Sequence, residues 1–449
     1  MWYHHHVKGT ATPHYMGGLY GFLIIDGTEE TDATKTQGVV ADATEVVLLM
    51  SEFTPTSVND TRTPPFFPIA FDFNWISTTN GHDGANTVFN FTQDEVVLFR
   101  AGSATTEPTI ELSIDNHTLI PIAYDGYQLP SSMVKEMDYI DIGGGQRVDF
   151  LVKFDKVGTY VIQRPRWYGT AFTGIEFCSA ALGVEVDICL SYDVDKIIGT
   201  INVLPKEEED GEMMMMDPEE GEMTMTSLLD SITTLDYDDH HKALAMQESV
   251  DTKSITFEQK FGFPLFQVPY EGSFVPPGTG FGLNGKFDTP FSSIGTVTVD
   301  TCETWTVHSI PPGAEHIFHV HNADFMVTHH DGVKLKTPYW RDSEIIYGHN
   351  ITIHVCFDSV KPGDRLKVHC HGSNHIDIGV SSAVTVIAAE EPVVDPATTV
   401  PSTEVEETTS DETSTSEESA EDPATANTVT ISLALSVISM AVGLAMSVF

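Results

Sequence analysis

Histidines stand in three short clusters along the chain, and their spacing is suited to metal binding. The clusters are His4-His5-His6, the segment from His316 to His321, and His369-Cys370-His371 with His375 four residues further on. Each cluster contains two histidines separated by one residue. Residues two apart on a β-strand point to the same face, so each pair can direct two imidazoles at one metal ion. The sequence therefore predicts metal centres whose ligands are held by strands.

Cys370 lies between two of these histidines and adds a second kind of site. On a strand, the pleat turns Cys370 to the face opposite His369 and His371, so one tripeptide can serve two metal sites. A thiolate with two imidazoles and a weak or absent axial ligand is typical of blue-copper electron-transfer sites. Cys370, His375 and a histidine of the second cluster would supply that set. Zinc is the weaker alternative, because closed four-ligand zinc sites are typically rich in cysteine, whereas histidines greatly outnumber the available cysteines here.

The elements that must position these residues are short strands. β-rich runs separated by turn residues fill residues 87–203 and 251–388, without a long run of helical periodicity. We predict an all-β chain with tandem Greek-key β-sandwich or barrel domains at residues 41–204 and 251–388. Residues 1–40, with a strand-like Leu19–Ile25, are predicted to be the last part of another such domain. The clearest predicted strands are Glu95–Phe99, Thr109–Ile114, Thr118–Ala123, Gln146–Val152, Gly158–Ile162, Gly295–Val299, Glu303–Ile310, His316–Val320, Asn350–Phe357, Leu366–Cys370 and Val380–Ile387.

The segments outside these domains differ in composition. Residues 205–250 form an acidic, methionine-rich linker with four consecutive methionines at Met213–Met216. Thioethers are soft donors suited to Cu(I), so the linker either binds cuprous ion or carries its methionines incidentally. Residues 389–427 are rich in Ser, Thr and Glu and are predicted to be a disordered stalk.

The overall charge excludes one class of partner. The chain has 66 acidic against 22 basic residues, a formal net charge of −44. Proteins that bind nucleic acids neutralise phosphates with Lys and Arg, so no nucleic-acid partner is expected. Hydrophobic residues make up 41% of the chain, which is enough for folded cores.

Several features favour the secretory pathway. Sequons occur at Asn59, Asn90, Asn116 and Asn350, and four of the five cysteines can pair as Cys178–Cys189 and Cys302–Cys356. The uncharged tail 428–449 is long enough to span a bilayer, as a GPI-attachment signal or a single transmembrane helix. We therefore expect the protein on the extracellular face of a membrane.

The histidine clusters resemble the copper motifs of the multicopper oxidases. Trp2-Tyr3-His4-His5-His6 resembles the second of the four motifs, His316 to His321 the third, and His369 to Val380 the fourth. The resemblance covers about residues 1–388 and implies cupredoxin-like domains. Four further segments also resemble the family's pattern, namely Gly18–Ile25, Asp125-Gly126, Gly145–Asp149 and Trp340–Ser343.

Carried over position by position, the resemblance implies a role for each ligand. The type 1 copper would be held by His316, Cys370 and His375, and the type 2 copper by His319. His5 stands where the family usually has serine and is left out. Val380 occupies the axial position of the type 1 site and cannot coordinate, which favours Cu(I) and a higher potential. The type 3 copper pair would take His4, His6, His321, His369 and His371, and a complete protein of the family holds four coppers.

The first of the four motifs is absent from the sequence. The family draws one type 2 and one type 3 histidine from that motif. We expect the sequence to begin inside its first domain, with a longer native protein upstream. The alternative is a degraded relative, a non-enzymatic copper-binding or electron-transfer protein.

The resemblance implies four one-electron oxidations at the type 1 copper, coupled to reduction of O₂ to water. An acidic surface favours Fe²⁺ as the reductant, and Glu315, directly before His316, is the candidate residue to hold it. The preferred interpretation is therefore a cell-surface ferroxidase, with an iron permease as a possible partner. A laccase-type oxidase of phenolic small molecules is the alternative.

Overall fold

The computed structural model begins with a small hairpin that carries the first histidine cluster. Strand β1 (Trp2–His4) pairs antiparallel with β2 (Tyr20–Phe22), and helix α1 (Ala11–Met16) lies between them in sequence. The predicted strand Leu19–Ile25 is thus shorter than expected, because β1 offers only three residues to pair with. The structure describes residues 1–7, 11–25, 38–53, 76–105, 109–164, 196–206, 228–229, 239–260, 280–284, 292–310, 315–347, 350–372, 375–376 and 379–389.

The first β-sandwich has a seven-stranded and a five-stranded sheet, in the orders β10-β9-β12-β7-β3-β4-β5 and β11-β8-β13-β14-β6. Strand sequences alternate as expected for half-buried strands, with Ile110, Leu112 and Ile114 of β8 turned inward. Side chains from both sheets form one core, including Leu48, Phe91 and Phe150. The strands are β3 (Thr44–Phe53), β4 (Ile76–Thr79), β5 (His82–Asp83), β6 (Val88–Thr92), β7 (Glu95–Ser103), β8 (Ile110–Ile114), β9 (Ile120–Tyr124), β10 (Tyr127–Gln128), β11 (Ile140–Ile142), β12 (Arg147–Phe154), β13 (Gly158–Arg164) and β14 (Lys196–Leu204).

The second β-sandwich has a six-stranded and a five-stranded sheet, in the orders β16-β15-β18-β23-β20-β21 and β17-β25-β24-β19-β22. Its core includes Trp305, Phe318, Phe325 and Cys370. The second and third histidine clusters lie in the five-stranded sheet, where β19 is bonded to β24. The strands are β15 (Ser249–Lys260), β16 (Gly280–Leu283), β17 (Gly295–Thr298), β18 (Cys302–Ile310), β19 (Glu315–Val320), β20 (Phe325–His330), β21 (Val333–Arg341), β22 (Ser343–Tyr347), β23 (Ile351–Cys356), β24 (Arg365–Cys370) and β25 (Ser381–Ile387).

Helices are short in the part of the chain described above. Besides α1 there are α2 (Gly38–Asp42) and α3 (Asp239–Met246), with 3₁₀ turns at Gly84–Asn86 and Ser131–Met133. The predicted all-β class with cupredoxin-like sheets is confirmed. Among the described residues, no helix is both long and apolar enough to cross a bilayer.

A disulfide links the paired strands β18 and β23 of the second sandwich, as predicted for Cys302 and Cys356. Leu244 of α3 packs against this buried disulfide, and the carbonyl of Leu244 accepts a hydrogen bond from His354 Nε2 at 3.1 Å. Several other predictions lie outside the described residues. These are the Cys178–Cys189 pair, the sequon at Asn59, the methionines Met213–Met216, and the stalk and tail from residue 390 onward.

The two sandwiches are joined by polar contacts between β9–β12 and β21–β22. The Arg147 guanidinium bonds both carboxylate oxygens of Asp342, at 3.0 and 2.6 Å. One carboxylate oxygen of Asp125 accepts hydrogen bonds from the backbone N–H and the hydroxyl of Ser343, at 3.1 and 2.9 Å. Gln146 Nε2 donates to the Ser343 carbonyl at 2.9 Å. This interface lies beside the histidine clusters and fixes β22 relative to the first sandwich.

Candidate metal centre

The pairing of β19 with β24 brings the second and third clusters together. Phe318 stands opposite Cys370, and His319 opposite His369. Since cross-strand partners share a face, Phe318 and Cys370 point into the sandwich core while the two histidines point outward, toward the first sandwich. The prediction that the pleat separates Cys370 from His369 and His371 agrees with this geometry.

The core face carries a buried group of one thiol and two imidazoles. The potential ligand atoms of His316, Cys370 and His375 all lie within 4.8 Å of one another. Cys370 Sγ is 3.1 Å from His375 Nδ1 and 3.4 Å from the Ile317 amide nitrogen, which points its N–H at the sulfur. We refer to these three ligand candidates as the thiolate triad.

Each histidine of the thiolate triad is held in its neutral form. Burial lowers the pKa of His375 to about 4 and lowers that of His316 well below its ordinary value. Neither ring nitrogen of His316 has a hydrogen-bond partner within the described residues, although both are buried. A buried imidazole without partners is costly unless a metal takes up a lone pair, so the triad fits a resident copper ion.

The wall of the thiolate triad is apolar. The Phe257 ring stacks on the His316 ring with centroids 5.2 Å apart. Val380 is fully buried, its N–H bonds the His375 carbonyl at 2.9 Å, and its carbonyl accepts the Cys370 N–H at 3.1 Å. Val380 therefore bonds two residues of the triad through its backbone, and its side chain offers no ligand atom.

The opposite face carries a triangle of imidazole nitrogens from three distant segments. The Nε2 atoms of His6, His321 and His369 are 3.0 to 3.1 Å from one another. We refer to these three residues as the histidine triangle. A single metal ion between three such nitrogens matches the ligand chemistry of copper.

Three more predicted ligands adjoin the histidine triangle. The His371 ring centroid is 5.1 Å from that of His319 and 5.2 Å from that of His4. All six histidines on this face therefore lie in one continuous cluster. The assignment of individual residues to type 2 or type 3 copper remains a prediction.

Hydrogen bonds to the backbone fix the tautomer of several of these rings. The Nδ1 atoms of His4, His319 and His369 lie 3.0, 2.6 and 2.9 Å from the carbonyl oxygens of His5, Asp342 and Cys370. A carbonyl only accepts, so each Nδ1 carries the proton and each Nε2 keeps a free lone pair for a metal.

Burial also keeps this cluster deprotonated. Desolvation lowers the pKa of His4 to about 4 and that of His321 to about 2, and the neighbouring imidazoles lower it further in the same direction. The pKa values of His369 and His371 lie well below the ordinary value for the same reasons. Neutral imidazoles with fixed tautomers fit copper binding on this face as well.

The N-terminal hairpin supplies packing as well as ligands. The Trp2 ring stacks on His4 with centroids 4.3 Å apart, and the buried Tyr15 ring lies 5.0 Å from His4. His5 turns away and stacks on His14 at 3.8 Å, which agrees with its exclusion from the ligand set. Trp2, Tyr15 and His14 were not predicted as contacts of the cluster, because that requires the path of the chain through α1.

Glu315 is described only as the first residue of β19. Its side chain lies outside the described residues, so the prediction that it holds Fe²⁺ stays a prediction.

Sequence reasoning missed a set of supporting residues, although it flagged the segments that contain them. The Asp342 carbonyl accepts a hydrogen bond from His319 Nδ1, and the Asp342 carboxylate binds Arg147. Burial opposes the charge of Asp342, but Arg147 outweighs it and lowers the Asp342 pKa. Burial and the Asp342 charge raise the pKa of Asp125. The signal was the pair of segments Gly145–Asp149 and Trp340–Ser343, whose spatial contact the sequence does not reveal.

Comparisons with known proteins agree with this arrangement. Two models of multicopper oxidase domains match residues 42–175 and 268–390. Laccase-5 of Trametes villosa is 25% identical over 418 residues, covering 89% of this chain and 72% of that protein. A laccase of Trametes hirsuta is 26% identical over 429 residues, with the same coverage.

Solved structures show the same fold. A laccase from Pediococcus acidilactici superposes with a TM-score of 0.58 at 17% identity, over 86% of this chain and 69% of that one. A multicopper oxidase from Campylobacter jejuni, described as a metallo-oxidase, gives a TM-score of 0.56 at 16% identity, over 86% and 71%.

Proposed function

The chain belongs to the multicopper oxidase family, and from this premise we propose that it oxidises small phenolic reductants with O₂, as a laccase-type enzyme. The observation that carries the proposal is the buried thiolate triad of His316, Cys370 and His375 with Val380 beside it. A triad without an axial donor favours a high potential. The curated relatives named above are laccases, which supports the same substrate class.

Bound copper would supply the one-electron chemistry that couples oxidation of the reductant to reduction of O₂ to water. The residues of this chain provide the geometry for that chemistry. Burial keeps the triad imidazoles neutral and excludes water from Cys370, which is fully buried. The peptide units joining Cys370 to His369 and His371 connect the two faces of the sheet.

The experiment measures kcat/KM for a phenol and for Fe²⁺ with the copper-loaded protein expressed together with the sequence upstream of Met1, following O₂ consumption. A phenol preference that disappears in the Cys370→Ser variant is the expected result. A preference for Fe²⁺ that declines as ionic strength rises would overturn the laccase-type proposal. Attraction of a dication to acidic surface is screened over about 8–10 Å at 0.1–0.15 M salt, whereas a neutral phenol is not attracted in this way.

Oxidation of Fe²⁺ is the second candidate, and the net charge of −44 favours it. The sequence ranks it first, whereas the laccases among the relatives favour the phenolic reductant. Glu315→Gln separates the two. If Glu315 holds Fe²⁺, this variant lowers kcat/KM for Fe²⁺ and leaves that for the phenol unchanged, since only the cation gains from the carboxylate. An iron permease partner depends on this second candidate.

We also propose that the protein follows the secretory pathway to the extracellular face of a membrane. The disulfide between Cys302 and Cys356 supports an oxidising compartment, and the sequon residues Asn90 and Asn116 are exposed. Treatment of the protein from its native source with an N-glycosidase tests the route. An unchanged mass would contradict it.

A further inference from the structure

The loop Gly143–Arg147 of the first sandwich reaches the metal-facing histidines of the second. We propose that this loop positions two of the predicted copper ligands, with Gly145 setting the place of the His371 ring and Arg147 setting that of His319 through Asp342. The inference rests on membership of the family and not on the choice of reductant. Gly145 and Arg147 are positioning residues, since they act on the ligands and not on a substrate.

Gly145 acts by having no side chain. Its φ of +83° favours glycine, and a Cβ at this position would stand 2.4 Å from His371 Nδ1 and 2.5 Å from His371 Cε1. Contacts that short are sterically forbidden, so an added methyl must displace the imidazole or the loop. The His371 ring therefore packs directly against the backbone of Gly145.

The backbone at Gly145 is itself held firmly. Its N–H donates to the Ser103 carbonyl at 2.7 Å, and its carbonyl accepts from Arg147 Nη1 at 3.1 Å. His371 Nδ1 is buried and has no hydrogen-bond partner among the described residues. Within the described residues, His319 thus has a hydrogen bond that orients its ring, whereas His371 has the steric contact with the loop in that role.

Arg147 acts on His319 through Asp342. Its two terminal nitrogens grip the Asp342 carboxylate at 3.0 and 2.6 Å, and Nη2 also donates to the Asp125 carbonyl at 3.0 Å. The Asp342 carbonyl oxygen in turn accepts a hydrogen bond from His319 Nδ1, with the two atoms 2.6 Å apart. A bidentate ion pair fixes the orientation of the Asp342 carboxylate, which a single charge cannot do. It thereby also holds in place the Asp342 carbonyl that orients His319.

The thiolate triad provides an internal reference for this proposal. His316, Cys370 and His375 lie in the core of the second sandwich, on the other face of the same strands. A change in the loop should therefore alter copper on the histidine face and leave the blue site intact. A loop that only holds the sandwiches together would not discriminate between the two faces.

The test compares Gly145→Ala and Arg147→Lys in the full chain loaded with copper. The two variants disturb the loop in different ways. Gly145→Ala keeps every side-chain hydrogen bond of the loop, whereas Arg147→Lys keeps the positive charge but loses the bidentate hydrogen bonds to Asp342. Arg100→Lys is the matched control. Arg100 lies on β7, the strand next to β12, and its guanidinium is 3.1 Å from the Glu45 carboxylate. Three quantities are measured: blue absorption, the EPR spectrum of the non-blue copper, and copper affinity by chelator competition.

We expect both loop variants to weaken binding of the non-blue copper by about 10-fold or more, the range found for residues that orient metal ligands. The EPR hyperfine splitting should change in Arg147→Lys, which acts on the predicted type 2 ligand His319. Blue absorption per chain should stay at the wild-type value in both loop variants, and Arg100→Lys should change none of these quantities. Wild-type affinity and EPR in both loop variants would overturn the proposal. A parallel loss of blue and non-blue copper would also overturn it, since that outcome indicates damage to the interface as a whole.

Discussion

The two faces of strands β19 and β24 hold their metal-binding residues in opposite ways. The thiolate triad comes from one sandwich, from β19, β24 and the short segment after β24, and it lies within a continuous hydrophobic core. The histidine triangle joins that sandwich to the N-terminal hairpin, with His6 far in sequence from His321 and His369. One site thus depends on the folding of a single domain, and the other on the docking of separate segments.

The difference teaches where each site is vulnerable. A core site is lost when packing is lost, because its ligands share the apolar contacts that stabilise the sandwich. An interface site is lost when a contact between segments is lost, even if each segment stays folded. Substitutions can therefore be chosen to remove one site and spare the other.

The largest expected effect is on the core face. Cys370→Ser removes the only thiolate of the triad and should abolish the blue charge-transfer band at about 600 nm completely. The histidine triangle should keep its copper affinity within about twofold, because its ligands face the other way. Absorption spectroscopy and chelator competition measure the two sites separately. A Ser variant that stays blue would refute the triad.

The next effect concerns the interface face. His6→Ala removes one of the three nitrogens of the histidine triangle and should weaken non-blue copper binding by about 100-fold, at the upper end of the range for residues that only orient ligands. Blue absorption should be unchanged. His5→Ala is the matched control, since His5 stacks on His14 instead. Equal losses in the two variants would mean that the hairpin fold, and not the His6 nitrogen, is responsible.

The contrast between faces follows from rules that the sequence already provides. Strand alternation separates Cys370 from its neighbours, and the H-x-H spacing pairs the histidines, so both could be predicted. The grip of Arg147 on Asp342 could not, because it depends on how two sandwiches dock. The stacking of His5 on His14 depends likewise on the turn through α1, and the shortened strand near Leu19 depends on the length of its partner.

A smaller effect should separate the two sandwiches by stability. Phe318 and Phe150 are both fully buried, one in each sandwich core. Truncation of either to Ala should cost about 3–5 kcal/mol of unfolding free energy, measured by denaturant titration. Only Phe318→Ala should also weaken the blue site, since Phe318 is the cross-strand partner of Cys370. An equal loss of blue copper in Phe150→Ala would show that the sandwiches do not act independently.

The smallest effect is a dependence on pH in the metal-free chain. The pKa of His375 is lowered to about 4 from its ordinary 6.5, so the unfolded state binds the proton more readily than the folded state. Stability from this group is fully present above pH 6.5 and is lost as pH falls toward 4. Thermal melting at several pH values measures it, with His375→Gln as the control. The slope should be smaller in that variant without vanishing, because the pKa values of the other buried histidines are shifted in the same direction. An unchanged slope would assign the dependence to those groups.

The alternation along β24 also limits how this strand can change. A shift of its pairing by one residue would exchange the two faces, carrying Cys370 to the interface and His369 into the core. A shift by two would restore the faces but move each side chain by two places along β19. His369 would then no longer stand opposite His319. Insertions or deletions within the strand, whether of an odd or an even number of residues, are therefore not tolerated. Changes in length can accumulate instead in the turn before Arg365, where the chain is exposed. The metal chemistry thus fixes the alignment of this strand more strictly than packing alone would require.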